Sequence, residues 1–163
     1  SSPSAASDVY KRQIKSQLLG EWKSSPEFLQ LLFTADRAYH LEKEIIPLLK
    51  KGTIVICTRY ILSTLAYGAI DIKDEKWLLG LNKKFFLPDI TFLLKVSPRI
   101  CLRRIKKERF HTELFDKEEK MKKVWINYKK LAKKFKSIFV LNGERSVEKI
   151  AKDVIKIVIK KLS

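Results

Sequence analysis

The longest periodic stretch of the chain runs over residues 26–51. Its apolar residues Phe28, Leu31, Leu32, Ala35, Ala38, Leu41, Ile45 and Leu48 fall close to the 3.6-residue period of a helix with one buried stripe. Ser25-Pro26-Glu27 supplies the start: Ser as N-cap, Pro at the first helical position, an acid in the first turn. Pro47 lacks an N–H and should kink this helix, and Gly52 should cap it. Residues 53–57, TIVIC, change the pattern. They are short, β-branched and apolar on both faces, which predicts a buried parallel strand.

A first helix is expected at about residues 14–19, ending near Gly20. After TIVIC the chain predicts helices over about 62–69 and 74–86. Pro88-Asp89 leads to a second strand, 90–96, and Pro98 opens a helix to about residue 107. A polar segment, 108–116, precedes a long basic helix to about residue 135 and a last strand, 138–141. Ser146 to Glu148 opens a closing helix that keeps Val147, Ile150, Val154, Ile157, Val158 and Leu162 at helical spacing. Strands alternating with helices predict βαβ units: an α/β fold with a parallel sheet and helices on both faces. Three strands are few for a sheet covered on both sides, so further strands are expected outside this sequence.

With 163 residues, 45% of them hydrophobic and 33% charged, the chain suits one folded domain rather than a disordered segment. Its net charge of +17 attracts phosphate-rich ligands. Specific nucleic-acid binding is not expected, because Trp77, Phe85, Phe86 and Phe92 sit at apolar-period positions instead of among surface lysines. Cys57 and Cys101 both lie in apolar surroundings and read as reduced core thiols of a cytoplasmic protein. No apolar run approaches the roughly 18 residues needed to cross a membrane.

Residues 1–13, SSPSAASDVYKRQ, have no hydrophobic period, and 4–13 look like the translation of a sequencing-library transposase adapter. Residues 1–13 are therefore expected to be a non-native tail on a domain spanning 14–163.

The candidate chemistry lies in residues 31–67, LLFTADRAYHLEKEIIPLLKKGTIVICTRYILSTLAY. The strand prediction puts Thr58-Arg59-Tyr60 at a carboxyl end, where open α/β sheets bind ligands. Two arginines and an aromatic ring suit a flat ring bearing a phosphate. At F-x-A-D-R joined to x-R-Y-x-x-S-x-x-A-Y the chain resembles thymidylate kinase, a P-loop nucleoside monophosphate kinase. The resemblance continues through LPDITFLL (87–94), VWINYKKL (124–131) and Ser146-Val147-Glu148.

The resemblance implies transfer of the ATP γ-phosphoryl group to dTMP, with Mg²⁺ accompanying ATP. It implies that Phe33 stacks on thymine and that Arg37, Ser63 and Tyr67 contact dTMP. Arg59 would grip the acceptor phosphate, with Asp36 holding Arg37 or a helix end. Arg104 would lie on the ATP side, and Arg109 would be a catalytic lid arginine. A homodimer through the helix from Pro26 is also implied. The G-x-x-x-x-G-K-[ST] loop that cradles ATP phosphates is not found in the sequence. The chain thus reads as the acceptor-and-lid part of such a kinase, inactive by itself. Three positions depart from the family's usual Asp, Gln and Asp: Thr58, Gly68 and Lys95; Trp125 also stands where Arg is common. They leave two alternatives: a kinase for another nucleoside monophosphate, and a degenerate, non-catalytic kinase fold.

Overall fold

The computed structural model describes residues 5–108 and 118–162, the side chains of 5–10 and 105–108 excepted. The elements are α1 (Ala5–Leu18), α2 (Pro26–His40), a π-helical turn (Leu41–Ile45), α3 (Ile46–Lys50), α4 (Ile61–Asp71) and α5 (Glu75–Asn82). There follow β1 (Thr91–Lys95), α6 (Pro98–Glu108), α7 (Glu118–Lys134), β2 (Ile138–Asn142) and α8 (Val147–Leu162).

The helices follow the local signals. Ser25 caps α2 by accepting from the Phe28 N–H at 3.1 Å, with Pro26 in the first turn. Asp74 does the same for α5, accepting from Trp77 at 2.9 Å. The predicted kink at Pro47 takes the form of the π turn just before it. Pro47 has no N–H to donate one turn back, and the wider turn absorbs the missing bond. Gly52 ends α3 at φ +74°, a left-handed position open to glycine, and its N–H donates to Leu49. α1 begins at Ala5, well before the expected start at residue 14. Ala, Lys, Arg and Gln are good helix formers, so the backbone continues helical without an apolar period.

β1 and β2 pair in parallel, with Thr91 opposite Ile138 and Lys95 opposite Asn142. This is the α/β arrangement predicted. The third strand is not there: residues 53–57 have no regular secondary structure and belong to no ladder, and Ile54 and Ile56 are 67% and 89% exposed. A strand is completed by its neighbour, and among the described residues none pairs with TIVIC. Cys57 is correspondingly exposed and not a core thiol; Cys101 is half-buried, and both are free.

The core lies among the helices. Ile61, Leu65 and Ala66 of α4 pack with Ile72, with Leu78 of α5 and with Val124 and Leu131 of α7. Ala66 is fully buried and Leu78 is 1% exposed. Gly68 lies in this contact. A Cβ there would stand 3.0 Å from Leu78 Cδ2 and 3.2 Å from Gln30 Cδ, so its lack of a side chain lets α2, α4 and α5 close together. α8 is amphipathic in sequence, yet none of its residues is buried.

Candidate functional site

The predicted acceptor residues gather where residues 53–57 run into α4. Arg59 holds a left-handed backbone, φ +65°, which for a side chain of this size costs roughly 1–2 kcal/mol. Its guanidinium lies over the Tyr67 ring, 4.6 Å from the centroid. Tyr67, two turns along α4, meets Tyr128 of α7 edge to face, with centroids 6.4 Å apart. The Tyr128 hydroxyl is 2.8 Å from the Ser63 hydroxyl. Arg59, Ser63 and Tyr67 are thus brought together, and Tyr128 joins them from 65 residues away. Burial pushes the Tyr128 phenol up; the Ser63 bond and the nearby Arg59 charge oppose this only in part. It therefore stays neutral at physiological pH. Asn127 beside it donates to the Ala66 carbonyl at 2.9 Å and fastens α7 to α4.

Arg37 is adjacent through Tyr60, whose ring centroid lies 5.3 Å from the guanidinium. Arg37 is only 9% exposed. Nη1 donates to Asn82 Oδ1 at 2.6 Å, Nη2 donates to Thr64 Oγ1, and the Phe85 ring lies 5.8 Å away. Desolvation lowers the Arg37 pKa, with Tyr60 and Asp36 pulling the other way. Asp36 makes no hydrogen bond to Arg37, and its Oδ1 is buried without a partner.

Phe33 points elsewhere. It lines a groove of about 230 Å³ between α1 and α2, with Ile14, Leu18, Leu19, Lys11, Lys15 and Asp36. Arg104 stands apart from the acceptor group and donates from Nη1 to the Gly143 carbonyl at 2.9 Å. There the loop after β2 meets the end of β1: Gly143 N–H donates to Lys95 O, and Glu144 accepts from the Ser97 N–H at 2.7 Å. A Cβ on Gly143 would meet Val96 Cγ2 at 2.7 Å, so this approach requires glycine. Arg109 lies outside the described residues.

The sequence reading missed Asn82, Thr64 and Glu144, and assigned Tyr128 no role. Tyr128 stands in the VWINYKKL pattern, which gave a signal; Asn82 stands in no such pattern. Among the described residues no group of three His, Cys, Asp or Glu could hold a metal ion, and Thr58 is an exposed neutral residue. Mg²⁺ carried on ATP phosphates takes only one or two carboxylates from a protein, and position 58 supplies none. No helix among them is long and apolar enough to cross a membrane.

The family model for thymidylate kinase matches residues 5–154. A Pyrococcus abyssi protein named "Probable thymidylate kinase" is 38% identical over 146 residues, covering 89% of this chain and 71% of the relative. Proteins of the same name from Thermococcus onnurineus and Sulfolobus acidocaldarius are 43% and 39% identical, covering 82% and 84% of this chain and 65% and 69% of their own lengths. The chain thus spans about two thirds of the length of these curated relatives. With nearly all of its residues inside the family match and its F-x-A-D-R and R-Y elements folded side by side, the chain belongs to the thymidylate kinase family.

Proposed function

We propose that this chain supplies the acceptor side of a dTMP kinase, which transfers the ATP γ-phosphoryl group to dTMP and yields dTDP. The observation that carries the reading is Arg59. Its backbone is strained, its guanidinium lies 4.6 Å from the Tyr67 ring centroid, and it stands just before α4, which carries Ser63. Strain persists where the surroundings over-determine it, and functional sites are where it gathers. A guanidinium so held suits the phosphate oxygens of an acceptor nucleotide, and phosphoryl transfer depends mainly on such positioning and charge neutralisation. Ser63 and Tyr67 would contact dTMP beside it, and Arg37 would offer hydrogen bonds from its buried cage. Phe33 would stack on thymine only with its ring turned from the α1 groove.

ATP would enter with Mg²⁺ on its own phosphates, near Arg104 and the lid arginine Arg109. Gly68 belongs to a helix contact and not to an open pocket, which removes the ground for expecting another base specificity from it. Exposed Phe28 and Leu31 on α2 offer an apolar surface for the homodimer. The free thiols accord with a cytoplasmic setting.

Calorimetric titration of the 163-residue chain with dTMP, dUMP, dCMP and dGMP tests the reading. dTMP is expected to bind best, and Arg59→Ala is expected to weaken it about 100-fold, the loss of a charged bidentate contact of roughly 3 kcal/mol. Preference for another nucleotide, or an unchanged affinity in Arg59→Ala, would refute it. Because the sequence holds no G-x-x-x-x-G-K-[ST] loop, ADP formation is expected only once a segment bearing that loop is joined to it.

A further inference from the structure

Asn82 is the last residue of α5 and is buried. Its Nδ2 donates to the Leu78 carbonyl at 2.9 Å, which fixes the carboxamide with Oδ1 toward Arg37. Thr64 takes a second N–H of the same guanidinium. Both acceptors are neutral, and the Tyr60 and Phe85 ring centroids lie 5.3 and 5.8 Å from the guanidinium carbon. No carboxylate among the described residues forms an ion pair with Arg37, and its three other N–H groups meet no acceptor among them. Burying a charge without a counter-ion is costly, and an aspartate of the same shape at position 82 would offset that cost. The chain has the amide instead.

We propose that Asn82 is a positioning residue: it fixes the Arg37 guanidinium without pairing a carboxylate to it, so that an acceptor oxygen of the bound nucleotide is the first anionic group to hydrogen-bond it. The proposal rests on the reading of Arg37 as an acceptor-nucleotide contact. It goes beyond that reading in assigning the specificity of the arginine to the neutrality of its neighbour. An aspartate would pair with the arginine and already satisfy it, but would lose the Nδ2 donation to the Leu78 carbonyl.

Asn82→Asp exchanges the Nδ2 donation to Leu78 for a charge pair, so the stability test is its coupling to Arg37. The change in unfolding midpoint caused by Asn82→Asp is expected to be more favourable by about 4 °C with Arg37 present than in the Arg37→Gln background, or in Arg37→Met if that variant alone folds. dTMP affinity, measured by calorimetry on the same chain, is expected to fall tenfold or more, while Asn82→Ser, neutral and smaller, should retain more of it than Asn82→Asp. An Asn82→Asp midpoint change that is equal with and without Arg37 would show that no unpaired cation faces position 82. Coupling to Arg37 with unchanged dTMP affinity would show that the cage is only structural. If the parent chain binds a different nucleotide, the functional reading fails while the cycle still decides the proposal, with that nucleotide as probe. If it binds none of the four, both are overturned.

Discussion

The helices around Ala66 and the strands around Leu93 both carry apolar residues that need covering, yet only one of the two regions is closed. α4, α5 and α7 bury Ile61, Leu65, Leu78 and Val124 against one another. On the other side, Leu94, Phe139 and Val140 of the two-stranded sheet, Ile54 and Ile56 of the unpaired segment, and Val147 and Ile155 of α8 are all exposed. A helix satisfies its own backbone and needs a neighbour only for its stripe. A strand needs a neighbour for its hydrogen bonds before its side chains can be buried. The proposed acceptor site lies on α4 and α7 of the closed side, and the loop that Arg104 bonds sits with the strands.

The largest effect should come from the closed side. Leu78→Ala is expected to cost about 3 kcal/mol in urea unfolding, the loss of a fully buried leucine with partial collapse of the cavity. Ile56→Ala, at an 89% exposed position, should stay within about 0.5 kcal/mol. If the two cost the same, residues 53–57 are packed in solution and the contrast between the regions collapses.

The same contrast explains what the sequence made legible. The cap at Ser25, the break at Pro47 and the stop at Gly52 are local devices, and each folds as read. TIVIC has the composition of a buried strand, but composition cannot supply the partner that makes it one. Within the site, Arg59, Ser63 and Tyr67 share nine residues of chain and could be read together. Asn82 reaches Arg37 across 45 residues and Tyr128 reaches Ser63 across 65, through helix packing that no spacing encodes. Phe33 was read from its motif alone; the α1 groove it lines depends on how α1 docks, which the motif does not specify.

An intermediate effect concerns association and not unfolding. The exposed β-branched segment and the free sheet edge form a template for pairing between chains. Ile54→Lys combined with Ile56→Lys should leave the unfolding free energy within about 0.5 kcal/mol and reduce concentration-dependent light scattering. Scattering that persists unchanged would move the sticky surface elsewhere, to α8 or to Phe28 and Leu31 on α2.

The smallest effect belongs to the open side's own polar tie. Glu144 accepts the Ser97 N–H at 2.7 Å and so joins the loop after β2 to the turn that opens α6. This bond, first, and the nearby Arg104 and Lys95 charges hold its carboxyl below the ordinary glutamate value of 4.5. A carboxyl with a depressed folded pKa stabilises fully above its unfolded value and loses that contribution as pH falls through the folded one. The tie should therefore be intact at pH 7 and open only below about pH 4.5, with the Ser97 amide resonance titrating in that acidic window. Glu144→Gln should abolish the titration and leave the α4 and α7 amides unmoved, because the carboxylate is fully exposed and touches nothing in the helical core. A titration that reached α4 would mean that the two regions are coupled, and that the Arg104 loop and the acceptor site respond as one body.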